Sequence, residues 1–210
     1  MRAAYRLQTP RVQLLAAEPA RAVDFLRCAE ASIPALKPFM DWAHDLPDED
    51  GIIELVRSWR AMFDQDEDRH YLLVERATDT VIGACGVHPR VKGKARELGY
   101  WMRSDRAGQG LMTEAVGAVI RAEFATMGWD RLDVYVEPDN PASIRVAEKL
   151  GFARIAELPA HIPWAHGPDH DAVLLSLYRA AYLAGPLPAA EVHAWDVAGR
   201  TLDLPSLPPA

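Results

Sequence analysis

The run of residues 97–127 limits the fold more than any other part of this chain. Glu97-Leu98-Gly99-Tyr100-Trp101-Met102-Arg103 leads into Ser104-Asp105-Arg106-Ala107-Gly108-Gln109-Gly110-Leu111-Met112, and Thr113-Glu114-Ala115-Val116 follows. It reads as a strand, a glycine-containing turn and a long amphipathic helix. Met112, Val116, Val119, Ile120, Phe124 and Met127 fall on one side of that helix, and Gly128 stands where it should stop. Such an order brings several main-chain N–H groups and a helix N-terminus to one point, which suits a phosphate group. No Lys-Ser/Thr follows the glycines, so the turn is not a Walker loop, and Thr113 stands where a dinucleotide fingerprint needs its third glycine.

The chain has 210 residues, half of them apolar, which is enough for one domain with a real core and too little for two full ones. A formal net charge of −7 argues against nucleic acid or an anionic membrane as partner and is compatible with a cationic amine. Cys28 and Cys85 are too few for a disulfide framework and are expected to pack as small apolar residues. No run is long and apolar enough for a membrane span, and residues 1–20 lack the apolar core of a signal peptide, so the cytoplasm is the expected location.

Taken in order, Arg11-Val12-Gln13-Leu14-Leu15 is a strand introduced by Thr9-Pro10, and Pro19 suits the first turn of a helix carrying Val23, Phe25 and Leu26. Pro34 and Pro38 break residues 33–42 into loop or short helical pieces, whose Leu36, Phe39, Met40 and Trp42 either cap the core or wall a cleft. From Asp48 a helix buries Ile52, Leu55, Val56, Trp59 and Phe63 on one stripe, and the acidic residues 64–68 read as a solvated turn. Residues 70–75, 80–87 and 95–103 are three short-linked strands, an antiparallel meander. Residues 131–137 alternate as a half-buried strand, 142–150 form a short helix ended by Gly151, and 152–158 and 173–178 are the last two strands. Residues 180–210 are rich in Pro and Ala and hold one hairpin candidate around Ala198-Gly199.

Three stretches carry a family resemblance: Glu97-Leu98-Gly99-Tyr100-Trp101-Met102; Gly108-Gln109-Gly110-Leu111-Met112-Thr113-Glu114-Ala115; and Asn140-Pro141-Ala142-Ser143 with Glu148-Lys149-Leu150-Gly151-Phe152. In this order and spacing the chain resembles the GNAT (GCN5-related N-acetyltransferase) superfamily, and more narrowly its RimJ/RimL-like branch, over about residues 5–178. The resemblance implies an α/β (α+β) fold with a mixed, mostly antiparallel sheet, helices on both faces and splayed strands that form an acetyl-CoA site. It implies a transferase domain over residues 1–180 and an extension over 181–210 that packs on the core or on a second subunit of a homodimer. There is one departure from the family's Gln/Arg-x-x-Gly-x-Gly/Ala pattern. Aligned on Thr113-Glu114-Ala115, Ala107 takes the first position, Met112 the last, and Arg106 falls one residue early.

On this resemblance acetyl-CoA is the co-substrate. Trp101, Met102 and Arg103 would pair with its pantetheine amides, and the amides of Ala107, Gly108, Gln109, Gly110, Leu111 and Met112 would receive its pyrophosphate. Asn140 would bond the pantetheine arm, with a turn role as its alternative. Ser143 would lie beside the sulfur, or else serve as a helix cap. The main-chain N–H of Met102 is the candidate oxyanion donor. For the base, the candidates are His161, Glu157 and Glu97. His161, His166, His170 and Asp171 together raise a metal site, but Pro163, Gly167 and Pro168 remove helical ligand geometry, no Cys is near and spacing alone is not diagnostic, so no metal is expected. The expected function is direct transfer of acetyl to a primary amine, either a protein N-terminal amine or a small amine. The alternative, from another class, is a non-catalytic acyl-CoA-binding or regulatory module on the same scaffold.

Overall fold

A computed structural model describes residues 3–185 and 191–204. Parts of the expected domain and extension, residues 1–2, 186–190 and 205–210, lie outside the described residues. Among the described residues ten strands form one sheet: β1 (Arg6–Gln8), β2 (Val12–Ala16), β3 (Arg69–Glu75), β4 (Thr80–His88), β5 (Ala95–Met102), β6 (Arg131–Val136), β7 (Ala153–Ile162), β8 (His170–Tyr178), β9 (His193–Trp195) and β10 (Thr201–Leu202). Their order is β10-β9-β1-β2-β3-β4-β5-β6-β8-β7. Every neighbouring pair is antiparallel except β5 and β6. The described residues also form six α-helices: α1 (Ala22–Glu30), α2 (Ile33–Leu36), α3 (Glu49–Asp64), α4 (Leu111–Ala122), α5 (Pro141–Lys149) and α6 (Arg179–Ala184). The mixed, mostly antiparallel α/β architecture follows.

Alternation along the central strands divides the core. Leu72 and Val74 of β3 meet Phe25, Leu26, Ile52 and Val56 of α1 and α3 on one face. Tyr71 and Leu73 point the other way, with Val87 and Leu98, into the cluster that holds α4 and α5. Two helices begin at side-chain caps. The Asp48 carboxylate accepts from the Gly51 N–H at 2.9 Å and caps α3. Asn140 does the same for α5 by accepting from Ser143 N, with Pro141 at the first helical position. The cap is therefore Asn140, and Ser143 is free of that role. α4 runs on through one wider turn, Glu123–Met127, and stops at Gly128 in the left-handed region (φ 69°). Its Val116, Val119 and Ile120 are almost fully buried. Each contributes about 1.5–3 kcal/mol of apolar transfer free energy, so Ile120→Ala should cost about 2–5 kcal/mol.

Two departures from the sequence reading have identifiable causes. Thr9 and Pro10 form the turn of a hairpin, because a short strand, β1, precedes them and pairs Arg6, Leu7 and Gln8 with Leu15, Leu14 and Gln13. β1 is also flanked by β9, where Arg6 lies 3.8 Å over the Trp195 ring, so residues far apart in the chain stabilise it together. Residues 159–171 are less of a loop than expected, since β7 continues to Ile162 and β8 begins at His170. The strand pairing is irregular there and Ala160 takes φ 46°.

Candidate active site

β5 sits in the middle of the sheet, yet six of its eight residues are only half-buried. The reason is its pairing. Ala95, Arg96 and Glu97 oppose Arg131, Leu132 and Asp133 of β6, and beyond Glu97 the two strands part. Arg103 N donates to Ile82 O at 2.8 Å, and Met102 stands opposite Gly83, so the alternation of an antiparallel ladder turns the main-chain groups of Trp101 and Arg103 toward β4. Those of Tyr100 and Met102 face the opening. Central strand edges of this kind bind an extended ligand by adding to the ladder.

A cleft of about 370 Å³ lies in this opening. Of the eleven residues assigned to the cofactor from sequence, all but Arg103 and Gln109 line it. The Arg103 guanidinium is bound to Asp105 at 2.6 Å, and the Gln109 amide donates to the Asp105 carbonyl at 3.2 Å. Arg106, one residue early in the motif, turns back to Glu75 at 3.2 Å while still bordering the cleft. On the far side Ala35, Leu36, Phe39 and Met40 form a wall, so the apolar residues around α2 face the cleft as well as the core.

The glycine turn has the conformation its sequence demands. Gly108 and Gly110 both take φ 76°, where a side chain would be strained. Among the described residues the N–H groups of residues 108–113 have no acceptor, while Glu114 N returns to Gly110 O. A row of free amides at the N-terminus of a twelve-residue helix has the chemistry to receive an anion. Glu114 holds the row in place. Its carboxylate accepts from Thr9 Oγ1 at 2.5 Å, Arg11 N at 3.0 Å and Arg11 Nε at 2.6 Å, and Arg11 Nη1 also reaches Gln109 O at 2.9 Å. Burial alone would raise the Glu114 pKa; the Thr9 and Arg11 hydrogen bonds outweigh it and hold the carboxyl below its ordinary value. Arg145 and Lys149, one turn apart on α5, also border the cleft and are exposed, and the sequence reading passed over them. Their signal was four-residue spacing of two cations after Asn140.

At the floor, Ser143 Oγ donates to Tyr100 Oη at 3.2 Å, and Tyr100 Oη donates to the Ser143 carbonyl at 3.0 Å. Burial pushes the Tyr100 phenol up to about 12 against the opposing Ser143 hydrogen bond, so it stays protonated at neutral pH. The other catalytic candidates lie elsewhere. Glu97 marks the last paired position before the strands part, and its carboxylate meets Arg90 at 3.1 Å. His161 is exposed and stacks on Tyr135 with ring centroids 4.7 Å apart. Glu157 is exposed beside Arg154 at 3.4 Å. The histidine-rich loop does not converge: His166 faces Asp45 at 3.1 Å, His170 meets Glu137 at 2.9 Å and stacks on Trp164, and the Asp171 carboxylate accepts from Ala160 N.

A different polar group forms on the opposite face. Asp68, read from sequence as part of a solvated turn, accepts from His88 Nδ1 at 2.7 Å and lies 3.5 Å from His70 Nε2. His70 stacks flat on Trp59 with centroids 4.4 Å apart and meets His88 edge-on. Three donor atoms within 4.8 Å of one another could in principle hold a metal ion. Two tetrahedral ligands of one ion stand about 3.3 Å apart, whereas the 2.7 Å Asp68–His88 separation is that of a hydrogen bond. Burial opposes the charge on Asp68, but the His70 and His88 imidazoles hold its carboxyl well below the usual range. Burial also pushes His70 below its ordinary value, against the pull of Asp68.

Comparison with known proteins agrees with this geometry. The family model described as an acetyltransferase (GNAT) domain matches residues 11–153. Probable N-acetyltransferase YjcK of Bacillus subtilis (strain 168) is 29% identical over 112 residues, which is 52% of this chain and 62% of that protein. The match thus spans about three fifths of that relative's length. Among solved structures, RimL, the ribosomal L7/L12 alpha-N-protein acetyltransferase in complex with coenzyme A, superposes with a TM-score of 0.74 at 18% identity, covering 81% of this chain and 95% of RimL. The microcin C7 self-immunity acetyltransferase MccE, in complex with acetyl-CoA and AMP, has a TM-score of 0.74 at 16% identity, covering 80% and 93%. No helix among the described residues is long and apolar enough to cross a membrane.

Proposed function

Since the chain belongs to the GNAT acetyltransferase family, we propose that it transfers acetyl directly from acetyl-CoA to a primary amine. The observation that carries this reading is the parting of β5 from β6 after Glu97, with the free amides of residues 108–113 at the end of the opening. The pantetheine arm would pair with the main chain of Tyr100 and Met102. The pyrophosphate would take the amides between Gly108 and Met112, with Arg145 and Lys149 adding charge at the rim. The Asn140 amide, whose oxygen caps α5, keeps its N–H₂ for the arm. Residues 1–180 are the transferase domain in this reading, and the hairpin of β9 and β10 from the extension completes its sheet.

The thioester carbonyl then lies beside β5. The Tyr100 N–H, farther along β5 from the glycine turn than Met102, would donate to the oxyanion as the amine adds, and the Tyr100–Ser143 pair would supply a proton to the departing thiolate. Proximity contributes the rest, about 7–11 kcal/mol at its upper range. RimL is named for a protein alpha-amine and MccE was solved with AMP, so both acceptor classes belong in the test. Purified protein with acetyl-CoA should release free thiol and yield an equal amount of acetylated product with either free-N-terminus peptides or small primary amines. Tight acetyl-CoA binding with no product on any acceptor would instead favour an acyl-CoA-binding module.

A further inference from the structure

We propose that His88 Nε2 accepts the amine proton during transfer and that Asp68 is the positioning residue that holds the ring; this rests on the acetyl-transfer reading. A carboxylate accepts only, so the 2.7 Å contact puts the hydrogen on His88 Nδ1 and leaves a lone pair on Nε2. Among the described residues Nε2 has no hydrogen-bond partner, and it is not one of the side-chain nitrogens sealed from solvent. The ring is braced by His70, which is itself stacked on Trp59.

Two glycines make room for the imidazole. A Cβ on Gly86 would lie 2.2 Å from His88 Nε2, and one on Gly99 would lie 3.2 Å away. Gly86 and Gly99 are opposed across β4 and β5, so the ring lies flat along the sheet over that pair. Gly99 is half-buried and sits two residues beyond the last β5–β6 pair, within the opening, next to Tyr100. Nε2 thereby borders the strand along which the thioester would lie, on the face opposite the Tyr100–Ser143 pair. The acid and the base would flank one strand from its two sides.

The step balances as follows. The amine nitrogen's electron pair forms the bond to the thioester carbonyl carbon, and the C–S pair leaves on sulfur. The proton lost by nitrogen moves to Nε2, directly or through one water. Sulfur takes a proton from the Tyr100–Ser143 pair, which solvent restores, and His88 returns its proton to solvent. The titratable and charged groups that face His88 are Asp68 just before β3, His70 on β3, Arg90 from the loop after β4, and Glu97 opposite it on β5. α3 presents Trp59. Glu97 is already engaged by Arg90.

The test compares wild type with His88→Gln, Asp68→Asn and Asp68→Glu. Each is assayed for acetyl-CoA binding and for thiol release with free-N-terminus peptides and small primary amines over about pH 5.5–9.5. The expected result for His88→Gln is unchanged acetyl-CoA affinity, a fall in turnover of about 10²–10⁴-fold at neutral pH, and loss of the ascending limb of kcat/KM. Asp68→Asn should lower kcat with acetyl-CoA affinity intact, because the ring loses the acceptor that fixes its tautomer, and Asp68→Glu should restore part of the loss. His88→Gln turning over within about threefold of wild type would overturn the proposal. So would joint loss of binding and turnover, which marks a structural residue. Wild type that neither binds acetyl-CoA nor releases thiol would refute the transfer reading itself.

Discussion

Two polar clusters spring from the same end of β3 and face opposite ways. Arg69 points toward α4, where its guanidinium meets the Glu123 carboxylate at 2.5 and 3.1 Å, and Trp129 Nε1 donates to the same carboxylate at 2.7 Å. Arg69 and Glu123 are each about 1% exposed. Asp68 and His70 point toward α3 and join His88 in a group that keeps one ring nitrogen unpaired at an open strand. Both clusters pair a carboxylate with nitrogen donors. The first spends the Glu123 oxygens on fixed partners and can only hold structure, whereas the second retains an acceptor and can move a proton. Saturation of hydrogen-bonding capacity, more than charge content, separates a structural ionic cluster from a reactive one.

The comparison breaks first at Glu123. Glu123→Ala leaves the Arg69 charge buried without its carboxylate and should lower unfolding free energy by about 3–5 kcal/mol in urea denaturation. Equal stability would mean that the buried pair is relaxed by water. On the other face His88→Gln should leave the denaturation midpoint close to wild type while turnover falls about 100-fold, about 2.7 kcal/mol of barrier. Gly86→Ala sharpens the point without touching a polar group. Its Cβ would collide with the His88 ring and should push it off Asp68, lowering turnover by about tenfold with acetyl-CoA affinity intact.

The smallest effect is the pH dependence of stability. The Asp68 carboxyl and the His70 imidazole both have folded pKa values below their ordinary ones. The unfolded chain therefore binds more protons between the folded and ordinary values, and stability rises with pH there. Their contribution should be complete above about pH 6.5 and be lost on acidification, first as His70 protonates and then Asp68. Urea midpoints measured across that range should fall toward acid, and below about pH 4 they should fall less steeply in Asp68→Asn, which lacks the carboxyl.

What could be read from the sequence follows the range of each interaction. The glycine turn and α4 were legible because positive φ at Gly108 and Gly110 and the 3.6-residue stripe are local requirements. So were the three strands of the meander. β1 was not, since three residues carry no period and their partners include β9, nearly 190 residues away. Asp68, His70 and His88 were missed for the same reason: only the β3–β4 register brings them together, and Asp68 looks from sequence like any residue of an acidic turn. Arg145 and Lys149 were visible as spacing but gain meaning only once α5 is placed beside the cleft.

The central claim, that the opening between β5 and β6 with its free amides is the acetyl-CoA site, is tested most directly by calorimetric titration of acetyl-CoA into wild type and Ala107→Glu. Ala107 lines the cleft where the pyrophosphate would lie, and a carboxylate there repels it. The account predicts saturable one-to-one binding by wild type and an affinity at least about tenfold weaker in the variant, with an unchanged melting temperature. Equal affinity in the two proteins would contradict it.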